Sequence, residues 1–136
     1  MNELFNLAQK VAIVTGGNGG IGNGIARGFA SMGANVAIVA RNSQKTDAAA
    51  NEIKKTFGVR CLGLTCDVTD ESAVNRMAEN VYREFGRIDI LVNNAGINVR
   101  EPAEDVTEAH FESIMQVNLK GLYFLTQAVV KEMTPR

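Results

Sequence analysis

The residues Thr15-Gly16-Gly17-Asn18-Gly19-Gly20-Ile21-Gly22 carry the most evident chemistry in the sequence. They follow the apolar run Val11-Ala12-Ile13-Val14 and lead into a helix-like segment from Ile21 to Met32. A strand, a glycine turn and a helix N-terminus in that order form a cradle for phosphate. With no Cβ at Gly16, Gly20 and Gly22 the backbone can turn sharply and come close to a pyrophosphate, while the free N–H groups of the helix start point at it. The helix dipole adds roughly 0.3–1 kcal/mol for an anion placed there. Gly17 to Gly22 satisfies the general dinucleotide pattern GxGxxG, and Thr15 to Gly22 the tighter TGxxxGxG. A plain strand-to-helix turn can carry the same glycines, so the decision between the two rests on motifs further along the chain.

The elements that must position this turn can be read in order. Residues 1–10 form a short lead-in whose Leu4, Phe5 and Leu7 are expected to cover a sheet edge. Residues 11–15 form a first strand, a continuous apolar run of the kind buried on both faces of a parallel sheet. The next helix carries Ile21, Ile25, Ala26, Phe29 and Ala30 at helical spacing and stops at Gly33. Residues 35–40 form a second strand. Ser43 is the expected N-cap of a helix running to Phe57, with Ala48, Ala49, Ala50, Ile53 and Phe57 on its inner face. A third strand is expected over 59–66, a helix over 70–85 and a fourth strand over 88–93. Thr107 then caps a single long helix reaching Met133, just before Pro135. Its apolar residues cover more than one stripe, which implies burial on two sides and a subunit interface through residues 107–133. Strands and helices alternating at these lengths imply right-handed crossovers and an α/β, Rossmann-type doubly wound parallel sheet with helices on both faces. Residues 1–136 are expected to form one dinucleotide-binding domain with about four strands present.

Composition narrows the function classes. The 136 residues, 46% hydrophobic and 21% charged, suit one globular domain with a sizeable core. A formal charge of −1 without any Lys/Arg-rich block argues against nucleic acid and favours small molecules or copies of the same chain as partners. No run approaches the ~20 apolar residues of a membrane span and residues 1–9 lack a signal-peptide pattern, so a cytoplasmic location is expected. Cys61 and Cys66 lie an odd number of residues apart in one predicted strand, face opposite sides of it and cannot pair there. His110 is the single histidine, and no metal set is expected.

Thr15 to Gly22, Asp67-Val68, Asn93-Asn94-Ala95-Gly96 and Asn118-Leu119-Lys120-Gly121 stand in order along the chain. Together they resemble the short-chain dehydrogenase/reductase family in its single-domain, short-subunit branch, over nearly the whole length. The resemblance implies that Asp67 accepts a hydrogen bond from an adenine amino group and that the Val68 backbone addresses the ring. It implies further that Asn94, Ala95 and Gly96 place small residues beside the cofactor ribose. Asn118, unfavourable in mid-helix by propensity, matches the family position that bends the helix and holds a water in a proton relay, and is the catalytic candidate.

Cofactor choice rests on the end of the second strand, where an acid would hold the ribose 2′-hydroxyl of NAD and a base would accept the 2′-phosphate of NADP. Ala40-Arg41-Asn42 places a guanidinium there with no acid before it. A charged hydrogen bond of this sort contributes about 1.5–3 kcal/mol, so NADP(H) is favoured over NAD(H). The counter-signal is Asn18-Gly19, where NADP-preferring relatives often carry a second basic residue. The expected cofactor contacts are therefore Gly16, Asn18, Gly20, Ile21, Gly22, Arg41, Asn42, Asp67, Val68, Asn94, Ala95 and Gly96.

The family's remaining catalytic set is a Ser and a Tyr followed four residues later by a Lys. Gly86 follows Tyr82 at that spacing and Gln127 follows Tyr123, so neither tyrosine matches. The chain is therefore expected to be the N-terminal, cofactor-binding part of an oxidoreductase interconverting an alcohol and a ketone by hydride transfer, inactive alone. The segment Phe85 to Val92 resembles bacterial members acting on sugar acids or 3-oxoacyl groups. The alternative is a non-catalytic nucleotide-binding or interaction module that keeps the binding half only.

Overall fold

The computed structural model describes residues 3–134. Its centre is β1 (Val11–Thr15), buried at every position because it has a strand on each side and helices above and below. Parallel to it runs β2 (Asn35–Ala40), in register from Val11 opposite Asn35 to Thr15 opposite Val39. On the outer side of β2 lies β3 (Cys61–Thr65), while β4 (Ile90–Val92) pairs with the opposite side of β1, Ala12 facing Ile90. The strand order β3-β2-β1-β4 makes one four-stranded parallel sheet among the described residues.

Alternation along the strands divides the core in two. Val14, Val36 and Ile38 face α1 (Gly20–Ser31) and α2 (Ser43–Phe57), against Ala26, Ala30, Ala50 and Ile53. Ile13 and Val39 face α3 (Glu71–Phe85) and α5 (Leu122–Met133), against Val74, Met77, Val81, Leu125 and Val129. Each large side chain fully buried in these layers contributes roughly 1.5–3 kcal/mol. Helices on both faces of a parallel sheet are the doubly wound arrangement expected. Cys61 falls in the first layer and Cys66 in the second, on opposite faces.

Several local expectations are corrected. Leu4 and Phe5 are 80% and 60% exposed and cover no edge; the lead-in is held by its backbone, Leu7 N–H donating to the Met32 carbonyl at 2.8 Å. Met1 and Pro135 lie outside the described residues. The cap of α2 is Asn42, whose side chain accepts from Lys45 N–H at 3.0 Å, because Ser43 already has helical conformation. Ala48 is exposed, and Thr46 takes a buried place on that helix. Strand β3 begins only at Cys61, and β4 is confined to Ile90–Val92. At the start of β4 the Asp89 carboxylate, in place of a main-chain carbonyl, accepts the Val11 N–H at 2.9 Å.

The long helix is not uniform. Beginning under a Thr107 cap, α4 (Glu108–Met115) passes through a wider π turn, Gln116–Gly121, into α5. Gly121 lets this turn approach the loop after β3, since a Cβ there would stand 2.9 Å from the Val68 carbonyl oxygen. One side of α5 is buried through Leu125, Ala128 and Val129. Phe111, Leu119, Tyr123 and Val130 on α4, the π turn and α5 remain exposed. No helix among the described residues is long and apolar enough to cross a membrane.

Candidate functional site

From β1 the chain steps outward to β2 and β3, then returns to the far side of β1 for β4. The loops leaving β1 and β4 therefore part company, and in open α/β sheets a ligand crevice forms at such a switch point, outside the carboxyl ends of the strands. A cleft of about 390 Å³ opens there, lined from all four strand ends by Gly16, Asn18, Arg41, Asn42, Asp67, Val68, Asn94, Ala95 and Gly96 among others.

Thr15 pins the two diverging loops together. Its hydroxyl donates to the Val92 carbonyl at 3.3 Å and accepts the N–H groups of Asn94 and Ala95 at 3.0 and 2.9 Å. Next to it Gly16 adopts φ +65°, where a Cβ would also stand 2.9 Å from the Asn94 side-chain amide. That amide donates to the Gly16 carbonyl at 3.2 Å. The glycine turn and the Asn94-Ala95-Gly96 turn thus form one hydrogen-bonded floor.

Of the expected cofactor contacts, Gly20, Ile21 and Gly22 do not line this cleft. Ile21 is 80% exposed. Gly22 is buried for a different reason: a Cβ there would collide with the Gly16 carbonyl and the Asn94 amide, so its hydrogen lets α1 press against the turn. The N-terminus of α1 has no side-chain cap, whereas Asn42, Asp70 and Thr107 cap α2, α3 and α4. Its first N–H groups are left for an outside acceptor.

Asp67 is positioned by Thr69, whose backbone N–H and hydroxyl donate to one carboxylate oxygen at 2.9 and 2.7 Å. These bonds, helped by the nearby Arg41 guanidinium against the opposing effect of burial, hold the carboxyl below its ordinary range. Asp67 is a fixed acceptor at neutral pH.

Asn118 lies in the π turn and does not line the cleft. Its side-chain oxygen accepts the Ile97 N–H at 2.9 Å and its amide donates to the Ile97 carbonyl at 2.8 Å. This two-bond clasp fixes the loop after Gly96, where a Cβ on Gly96 would stand 3.2 Å from the same Asn118 oxygen.

Sequence reasoning missed Lys45, Cys66, Ile97 and Val117, which also line the cleft. Lys45 could have been found from Asn42, because a cap three residues earlier puts it in the first turn of α2. Burial pushes the Cys66 thiol up to about 11, with the Asp67 and Asp70 carboxylates adding to the shift, so it contributes a neutral, apolar wall.

A crevice floored by the glycine turn and lined by a fixed carboxylate, a guanidinium and the apolar Val39, Ile97 and Val117 suits an elongated, negatively charged nucleotide. Comparison with known proteins agrees. D-threitol dehydrogenase of Mycolicibacterium smegmatis is 42% identical, the match covering 95% of this chain and 49% of that protein. Gluconate 5-dehydrogenase of Gluconobacter oxydans is 37% identical over 98% of this chain and 52% of the relative. The chain therefore spans about half the length of the curated relatives it matches. Among solved structures, the L-sorbose reductase of Gluconobacter frateurii complexed with NADPH and L-sorbose superposes with a TM-score of 0.89 at 35% identity, over 95% of this chain and 49% of that one. An NAD+-bound xylitol dehydrogenase does so with a TM-score of 0.89 at 32% identity, over 93% and 48%. The family model described as short chain dehydrogenase matches residues 10–136, and the chain belongs to that family.

Proposed function

We propose that this chain is the cofactor-binding part of an NADP(H)-dependent oxidoreductase that interconverts an alcohol and a ketone on a polyol, sugar or sugar-acid substrate. Arg41 carries the reading: it lines the cleft at the end of β2, where the ribose 2′ position of a dinucleotide is read. The cofactor, when bound, supplies or takes up the hydride. The residues on hand do the rest of the binding. Gly16 admits the pyrophosphate, Asp67 accepts from the adenine amino group, and Asn94 to Gly96 leave room for the ribose. Asn118 acts as a positioning residue through its clasp on Ile97. The substrate class is supported by relatives and a neighbour named for threitol, gluconate and sorbose. The exposed apolar residues of α4 and α5 support self-association through residues 107–133.

The test is binding of NADPH and NADH to the full natural chain by fluorescence titration. NADPH is expected to bind at least about tenfold more tightly, and Arg41→Gln to remove most of the difference. Equal affinities, or tighter NADH, overturn the assignment of NADP(H). With the tighter cofactor, a panel of polyols, sugars and sugar acids tests the reaction, and no turnover on any of them favours the nucleotide-binding module.

A further inference from the structure

The cleft wall formed by α2 holds a second cation. Lys45 lines the same space as Arg41, and its Nζ lies over Gly19: a Cβ on Gly19 would stand 2.8 Å from Nζ and 3.1 Å from Cε. The ammonium thus occupies room that exists because position 19 has no side chain. Gly19 has extended backbone, φ −172°, which any residue can adopt, so conformation does not demand glycine there.

Two contacts keep Lys45 in place. Its N–H donates to the Asn42 cap at 3.0 Å, and the neighbouring Thr46, fully buried, accepts from the Asn18 amide at 3.2 Å. The glycine turn and the first turn of α2 are therefore tied together with the lysine beside the tie. Among the described residues neither Arg41 nor Lys45 is ion-paired to a carboxylate, unlike Lys10, Arg27, Arg60 and Arg87. A phosphate monoester carries about −1.5 to −2 charges at pH 7, more than one guanidinium neutralises.

We propose that Lys45 is a specificity-determining residue that supplies, from α2 across Gly19, the second positive charge for the 2′-phosphate of the dinucleotide. The proposal rests on the NADP(H) reading above. It is tested with the adenosine fragments alone, 2′,5′-ADP and 5′-AMP, titrated calorimetrically into the full natural chain. The wild type is expected to prefer 2′,5′-ADP. Lys45→Gln should reduce the ratio of the two Kd values at least about fivefold, and Lys45→Arg should restore it. Gly19→Ala changes no charge but displaces the ammonium, and should lower the same ratio. If Lys45→Gln and Gly19→Ala keep the wild-type ratio within about twofold while Arg41→Gln collapses it, Lys45 has no such role and the NADP(H) reading stands. If the wild type shows no preference, both readings fail.

Discussion

Asn94 is held to Thr15 through its backbone, its N–H donating to a threonine hydroxyl that is 1% exposed and also accepts from Ala95. One oxygen therefore joins the exits of β1 and β4. Thr15→Val keeps the shape and removes the acceptor, leaving the Ala95 N–H without its partner while the Asn94 N–H keeps the Val92 carbonyl at 3.1 Å. Such a loss costs roughly 1–3 kcal/mol. The variant should lose about 1–3 kcal/mol in urea unfolding, with Thr15→Ser close to wild type. A loss for Thr15→Val below about 0.5 kcal/mol would show that the tie is replaced by water.

Two glycines of α1 should respond in opposite directions. Gly22→Ala forces a methyl into the Gly16 carbonyl and the Asn94 amide, both part of the site floor. It should cost about 1–3 kcal/mol or more and weaken dinucleotide binding with it. Gly24→Ala, exposed on the same helix with nothing within 4 Å of its Cβ, should stabilise by about 0.5–1 kcal/mol. Thermal midpoints of the pair decide the matter, and equal shifts would remove the packing role given to Gly22.

The cysteines give a prediction in pH. Burial pushes both thiols from 9.0 up to about 11. A raised folded pKa means that the folded state holds its protons more tightly, so the contribution is complete below pH 9.0 and is lost as pH rises through about 11. Urea midpoints should fall across that window, and less so in Cys61→Ala, Cys66→Ala. Near pH 8 both thiols should resist iodoacetamide until urea is added, as peptide mass mapping would reveal. Rapid labelling of either in the folded chain contradicts the burial.

The fold was largely legible because its signals are local. Apolar runs at 11–15 and 35–40 coincide with β1 and β2, and Gly58 and Gly86 end α2 and α3 as expected. Where tertiary contacts decide, reading along the chain fell short. Strand β4 begins late because a side chain of Asp89 takes over a ladder position. The helix after Thr107 widens where Asn118 reaches Ile97 and Gly121 meets Val68, neither of which periodicity reports.

The candidate site divides in the same way. Gly16, Asn18, Arg41, Asn42, Asp67, Val68 and Asn94 to Gly96, named from motifs and strand ends, come together in one cleft. Gly22 serves packing, which the glycine pattern alone cannot distinguish from contact with a ligand. Lys45 carries no motif; its position comes from the Asn42 cap and the bond between Asn18 and Thr46.

The pairing of β1 with β4 joins parts of the chain far apart, as the bond from Asn94 to Gly16 across 78 residues shows, whereas β1 meets β2 after a single helix. Closing so large a loop is entropically late in assembly. The crevice cannot exist until that closure is made, because half its floor arrives with β4. A dinucleotide therefore has no complete crevice to act upon before β4 docks, and its stabilisation is expected to show chiefly as slower unfolding.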